Sequence, residues 1–133
     1  MREATTQEFA HHLGEFIKSF APSSKVERYL FYLERPKRHA DLRDLLWHAS
    51  LLGRNFREWK SGSLIDQLRE LGAGEECLVV SPAPEGRIHF AWYELGEGLG
   101  LFELEPGIAS IVPGRLAYVS GEGPGERYIC APE

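Results

Sequence analysis

The residues best placed for chemistry in the first part of the chain lie within residues 8–15. Glu8 and His11 have the Glu-x-x-His spacing that puts two ligands on one helix face, as in di-metal carboxylate bundles. Such a site needs matching ligands from other helices, and only Asp44 with His48 offers a comparable pair. Because the set is incomplete, we predict a solvated helix face, with no bound metal and no cofactor.

The serines and cysteines give no sign of a catalytic nucleophile. A nucleophilic serine or cysteine needs a base within hydrogen-bond reach and a third group that orients the base. No serine stands in a Gly-x-Ser-x-Gly turn. Cys77 and Cys130 could meet His89 within a sheet, but a cysteine in an apolar strand usually packs in the core. We therefore expect both cysteines to be free, buried thiols.

Two patterns in the second half suggest catalysis or nucleotide binding but have simpler explanations. Glu94, Glu103 and Glu105 fall on neighbouring predicted strands, where two carboxylates could perturb each other's pKa. A solvated sheet face explains them more simply. The glycines of residues 96–100 form a Gly-x-Gly-x-Gly run, but a phosphate loop needs a helix N-terminus after it. We expect strand residues there, so the glycines predict a tight turn.

Residues 54–60 are the most informative candidate for binding. They interleave two aromatic residues with three cations, and a cationic turn at residues 35–39 lies one helix earlier. Arginine and tryptophan are enriched at protein-binding hot spots, and aromatics among cations also suit single-stranded nucleic acid. Alternatively, Phe56 and Trp59 cover the core while the arginines face water. The predicted binding residues are Arg35, Lys37, Arg38, Arg54, Phe56, Arg57, Trp59 and Lys60.

The elements that must position these residues begin with helices. Thr5 followed by Glu8 has the pattern of a capping box, and apolar residues then recur at helical spacing up to Phe20. Residues 25–35 are predicted as a helix, although a buried strand would also suit their run of aromatic and aliphatic side chains.

Two further helices are predicted before residue 73. The third has Asp41 as its N-cap and Gly53 as its C-terminal stop, and a short fourth helix runs from Ser63 to Gly72. A loop rich in arginine and aromatic residues joins them.

From residue 73 onward, short apolar runs alternate with turns rich in glycine and proline. The predicted strands are residues 77–81, 87–95, 99–105, 108–112, 116–120 and 127–130. Connections this short force antiparallel neighbours, so the sheet is predicted to be a meander. Phe90 and Trp92 point to the same side, which we expect to be buried beneath the first helix. The other face is expected to be solvated.

The helical and sheet halves each have an apolar face that needs a partner. The economical solution is to bury the two faces against each other. We predict a single α+β domain over residues 1–133, long enough to bury one core. About four helices of residues 1–72 pack on one face of an antiparallel meander sheet of five to six strands in residues 73–133.

The charge of the chain is unevenly distributed. The net charge of −5 combines a balance of +4 over residues 25–60 with −8 over residues 61–133. An acidic total disfavours nucleic-acid binding through the whole surface but leaves room for a local basic patch. No run is apolar and long enough for a secretory signal or a membrane span, so we expect a cytoplasmic protein that does not bind membranes.

The missing catalytic pattern favours a binding protein over an enzyme. We predict a small cytosolic module, such as an inhibitor, an immunity-type protein or an adaptor, that acts through protein–protein interaction. A nucleic-acid-associated regulator that uses residues 35–60 is one alternative. A small enzyme whose site is dispersed over the sheet face is the other.

Overall fold

A seven-stranded antiparallel sheet forms the centre of the computed structural model, which describes residues 1–46 and 48–132. The strands are β1 (Arg2–Glu3), β2 (Phe56–Glu58), β3 (Glu76–Pro82), β4 (Ile88–Glu94), β5 (Gly107–Val112), β6 (Leu116–Ser120) and β7 (Arg127–Cys130). Their order is β1-β4-β3-β5-β6-β7-β2, and each neighbouring pair is antiparallel. The predicted α+β class with an antiparallel sheet is confirmed.

Five α-helices accompany this sheet in the described part of the chain. They are α1 (Thr6–Phe20), α2 (Val26–Glu34), α3 (His39–Leu45), α4 (Leu64–Glu70) and α5 (Leu95–Gly100). The capping box at the start of α1 is confirmed: the Thr5 hydroxyl accepts from the Glu8 N–H, and the Glu8 carboxylate accepts from the Thr5 N–H. Residues 25–35, which could have formed a helix or a buried strand, contain the helix α2. Ser63 caps α4 as predicted.

The third helix is shorter than predicted. α3 ends well before Gly53, and a separate 3-10 turn occupies Ala49–Leu51. Residue 47 lies outside the described residues. Asp41 lies inside the first turn of α3, where its carboxylate accepts from Arg38 at 2.8 Å, so its assignment as N-cap was wrong. Gly53 lies against Pro22, where a Cβ would come within 2.3 Å of the proline Cα.

Residues 99–105 do not form the predicted strand, and the predicted tight turn before them is also wrong. α5 and a 3-10 turn over Leu101–Glu103 occupy this stretch. Glu94 is the N-cap of α5, because its carboxylate accepts from the N–H groups of Gly96 and Glu97 at 3.0 and 3.1 Å. The cap replaces the hydrogen bonds that the first turn of a helix lacks.

The apolar residues of this stretch explain why a helix forms despite its glycines. Leu95, Leu99 and Phe102 recur at spacings of four and three, and all three are buried. This helical periodicity prevails over the low helix propensity of glycine. Because α5 crosses between β4 and β5, β5 pairs with β3 instead of continuing a meander from β4.

The sheet is covered on both faces. Helices α1 to α3 pack on one face, in a core that includes Phe16, Phe20, Leu42, Leu78 and Val80. The other face, which the sequence predicts to be solvated, carries a second core beneath α4 and α5, which includes Leu68, Cys77, Val79, Leu99 and Tyr118. No helix among the described residues has the length and apolar character required to cross a membrane.

Phe90 and Trp92 lie against α1 as predicted, but both are only partly buried. Phe90 stacks on Phe9 with ring centroids 4.3 Å apart, and Trp92 donates its indole N–H to the Glu8 carboxylate at 3.1 Å. Burial is incomplete because only the two-residue strand β1 lies beyond β4 at this edge of the sheet.

Candidate functional site

The α1 face that carries Glu8 and His11 brings together fewer than three metal-ligating side chains among the described residues. The Glu8 carboxylate accepts from the backbone of Thr5 and from Trp92. The neighbouring His12 is buried, with its Nδ1 hydrogen-bonded to Ser110 Oγ at 2.7 Å. Over the described ranges, no three His, Cys, Asp or Glu side chains come together in a way that could hold a metal ion.

Cys77 and Cys130 are free and buried, as predicted, and they lie on opposite faces of the sheet. Burial raises the pKa of Cys77 to about 12 and also raises the pKa of Cys130. His89 is not a neighbour of Cys77, because its cross-strand partner is Ser81 while that of Cys77 is Tyr93. Both thiols therefore stay protonated at neutral pH, which does not fit a nucleophile.

The three carboxylates predicted on neighbouring strands are not brought together as a catalytic pair. Glu94 caps α5, and its pKa is lowered because the carboxylate accepts from the backbone N–H groups of Gly96 and Glu97. Glu103 and Glu105 are exposed beyond the far end of α5. A carboxylate with a lowered pKa is a poor proton donor at neutral pH, so this set does not fit acid–base catalysis.

The two parts of the predicted basic-aromatic region lie at opposite edges of the sheet. Pro36, Lys37 and His39 line a concavity beside the β3–β4 turn, whereas β2 is the last strand at the other edge. Five strand spacings separate β4 from β2, which is about 24 Å at about 4.8 Å per spacing. Residues 35–38 and 54–60 are therefore two separate surfaces.

Arg54 and Trp59 are used within the fold. The Arg54 guanidinium donates to the backbone carbonyls of Lys18 and Ala21, which the C-terminal end of α1 leaves without helical partners. Trp59 packs partly buried against the second core, and its buried indole N–H has no hydrogen-bond partner in residues 1–46 and 48–132. The alternative that Trp59 covers the core fits this placement.

The remaining residues of segment 54–60 are exposed on or beside β2, which the sequence predicts as a loop. Phe56 is 41% exposed and meets Tyr128 edge-on, with ring centroids 5.6 Å apart. Lys60 is 3.9 Å from the Glu58 carboxylate. The Arg57 side chain lies on the face of β2 opposite to that of Phe56, beside an open groove of about 500 Å³.

The second basic segment carries a cluster that we call the cation–aromatic surface: Phe31, Tyr32, Arg35, Lys37 and Arg38. The Arg35 guanidinium carbon lies 3.9 Å from the centroid of the Phe31 ring. The corresponding atom of Arg38 lies 5.3 Å from the Tyr32 ring and 5.8 Å from the Phe31 ring. Guanidinium groups at these distances are attracted to the negative face of an aromatic ring.

Carboxylates alternate with the cations of this surface. Glu34 is 4.0 Å from Arg35, and Asp41 is 2.8 Å from Arg38. Each guanidinium therefore has an aromatic ring and a carboxylate within reach, and the pairs are exposed to solvent. Such exposed pairs contribute little to stability, about 0–1 kcal/mol each. A contribution to the stability of the fold is therefore a weak explanation for this cluster.

Phe31 and Tyr32 are missing from the predicted site, although the sequence contains a signal for Phe31. The buried stripe of α2 runs through Tyr29 and Leu33, and Phe31 falls outside it. Phe31 is 41% exposed. A large apolar residue off the buried stripe of an amphipathic helix, followed by cations, indicates a surface aromatic with neighbouring guanidinium groups.

Comparison of the chain with protein-family models, with curated proteins and with solved structures finds no match in any of the three.

Proposed function

We propose that this protein is a small binding module that engages an acidic surface of another protein through the cation–aromatic surface. The observation that carries the proposal is the Arg35 guanidinium 3.9 Å above the ring of an exposed phenylalanine. Stacking holds the Arg35 guanidinium on one face of the Phe31 ring, where a partner's carboxylate can compete with the 4.0 Å contact to Glu34 for its N–H groups. Arginine beside an aromatic ring is typical of the residues that dominate protein interfaces.

A protein partner fits this surface better than a nucleic acid does. The carboxylates of Glu34 and Asp41 divide the cations of this surface, which suits the separate carboxylates of a protein better than the continuous row of charges along a phosphate backbone. Arg35 covers one of the two faces of the Phe31 ring on which a base could stack. The net charge of −5 adds a general repulsion of polyanions.

An enzyme with a site dispersed over the sheet is less well supported by this fold. Buried side chains cover both faces of the central strands β3, β5 and β6. A substrate would need a concave site with polar groups that converge on it. A cytosolic location is part of the proposal, and the free thiols of Cys77 and Cys130 support it because a reducing compartment keeps thiols unpaired.

The test is affinity capture from the native host with matched variants. Phe31→Ala and Arg35→Ala should each lose a discrete protein that the unmodified chain retains. Arg69→Ala on α4 serves as the arginine control, and Leu104→Ala, at a side chain that is 91% exposed, serves as the apolar control. Both controls should retain the partner.

Arg35→Lys distinguishes the two classes of partner. Lysine keeps the positive charge but has no planar fork, so a protein partner should be bound about tenfold more weakly. A nucleic acid held by charge would be retained by the lysine variant and released steeply by added salt. Equal capture by the unmodified chain, Phe31→Ala and Arg35→Ala would contradict the proposal.

A further inference from the structure

Strand β2 leaves one side of its backbone without a partner in the sheet. Among the strands of the described residues it pairs only with β7, where Arg57 is opposite Ile129. The backbone N–H of Trp59 donates to the backbone carbonyl of Arg127, and the backbone carbonyl of Asn55 accepts from the backbone N–H of Ala131, each at 2.9 Å. The backbone N–H and C=O groups of the odd-numbered residues in this segment thus point towards β7. In an antiparallel ladder the alternate positions, Phe56 and Glu58, direct their N–H and C=O groups away from it.

The side chains of β2 give its two faces different chemistry. Phe56 presents an apolar ring that is 41% exposed on the face of the first core. Arg57 points to the opposite face, and its guanidinium has no hydrogen bond or ion pair within the part of the chain that the structure describes. A groove of about 500 Å³ beside it is lined in equal measure by polar and apolar surface, with Leu71, Ile129 and Ala131 among its apolar residues.

From this edge we infer a docking site for an extended acidic segment of a partner, which adds to the sheet as a strand beside β2. Residues that lie opposite each other in adjacent strands share a face. The segment therefore needs apolar residues opposite Phe56 and a carboxylate opposite Arg57, which is an alternation of apolar and acidic residues. Backbone hydrogen bonds hold such a strand, and the alternate side chains select it.

A second copy of this chain fits the edge poorly. Two copies could pair antiparallel through their β2 strands, related by a two-fold axis. If the backbone groups of both Phe56 and Glu58 are used, Phe56 of one copy exchanges hydrogen bonds with Glu58 of the other. The two Arg57 side chains then lie directly opposite each other on one face. Like charges in this position are destabilising. Arg57 therefore protects the edge against self-association while it favours an acidic strand.

The probe is a short capped peptide in which valine alternates with glutamate, added to the full chain up to the millimolar range. Binding should protect the Phe56 and Glu58 amides from hydrogen exchange. Because Arg57 is exposed and unpaired in the described chain, Arg57→Glu should fold normally and bind this peptide at least about tenfold more weakly. The same variant should bind a valine–lysine peptide in its place.

Methylation of the peptide nitrogens tests strand addition directly. Opposite Phe56 and Glu58, the valine N–H groups face β2 and the glutamate N–H groups face away. Methylating the valine nitrogens should abolish binding, and methylating the glutamate nitrogens should leave most of it. The inference is overturned if the Phe56 and Glu58 amides are not protected, or if the valine-methylated or lysine peptide binds the unmodified chain equally well. The cation–aromatic surface lies at the other edge, so Phe31→Ala should leave peptide binding unchanged.

Discussion

His12 Nδ1 lies 2.7 Å from Ser110 Oγ, and this hydrogen bond joins α1 to the central strand β5 inside the first core. Ser110 is buried as well, and the rings of His12 and Trp92 meet in a T-shaped arrangement with centroids 5.2 Å apart. Burial lowers the pKa of His12 below its ordinary value of 6.5 and the adjacent His11 lowers it further, while Glu8 one turn away acts in the opposite direction.

The first prediction is a loss of stability in mild acid that His12 causes. Because its pKa is lower in the folded than in the unfolded state, the unfolded chain takes up the proton first. The stability contributed by His12 is present above about pH 6.5 and is lost as the pH falls through the lowered folded pKa. Denaturant unfolding of the His12→Gln variant should show a shallower decline over this range than the unmodified chain, while the exposed control His48→Gln should decline as the unmodified chain does. Identical slopes for all three proteins would refute the assignment.

The second prediction separates two glycines of α5. A Cβ at Gly98 would lie 2.6 Å from Cys77 Sγ, whereas a Cβ at Gly100 meets nothing within 4 Å. Gly98→Ala should lower the free energy of unfolding by about 1–3 kcal/mol through overpacking. Gly100→Ala should raise it by about 0.5 kcal/mol, because alanine favours a helix. If residues 96–100 formed a turn instead, the two variants would not differ in this way under chemical denaturation.

The third prediction assigns Arg54 to the stability of the fold. Residues 53–55 bind the carbonyls of Lys18, Ser19, Phe20 and Ala21, so they cap the C-terminal end of α1. Arg54→Ala should reduce the free energy of unfolding by about 1.5–3 kcal/mol, the range for hydrogen bonds to a charged group. Arg57→Ala, an exposed arginine nearby, should change it by less than about 0.5 kcal/mol. Equal losses in the two variants would contradict the cap.

The fourth prediction concerns Trp59, whose ring packs on the second core while its indole N–H is buried without a partner among the described residues. Trp59→Ala should cost about 2–3 kcal/mol of stability, less than a fully buried aromatic. Trp59→Phe should stay within about 1 kcal/mol of the unmodified chain, because it also removes an unsatisfied donor. A stability unchanged by Trp59→Ala, with a loss of partner binding, would return Trp59 to the binding surface.

The sequence predicts those elements whose signals are local. The capping box of Thr5 and Glu8 predicts where α1 begins, and the spacing of the phenylalanines that follow predicts its course up to Phe20. α5 was missed because three glycines outweighed the periodicity of Leu95 and Leu99, whose burial depends on contacts with β3 and β4. β2 was missed because three exposed residues form a strand only through pairing with β7.

The candidate site was predicted in part for a related reason. The cationic residues Arg35, Lys37 and Arg38 were identified, but they were joined to residues 54–60 because both segments lie close together in sequence. The order of the strands, which no local pattern encodes, places the two segments at opposite edges of the sheet. Phe31, on which Arg35 stacks, was not predicted as a site residue, because an aromatic residue within an amphipathic helix is compatible with the helix and with its buried stripe.

The most direct test of the proposed function is photocrosslinking in the native host from position 31. A photoreactive phenylalanine at Phe31 is compared with one at Leu104, which is more exposed and lies at the end of the 3-10 turn that follows α5. We predict a discrete protein adduct from position 31 that is absent from position 104 and is lost when Arg35→Ala is added. Adducts only with nucleic acid, or the same adducts from both positions, would contradict a protein-binding cation–aromatic surface.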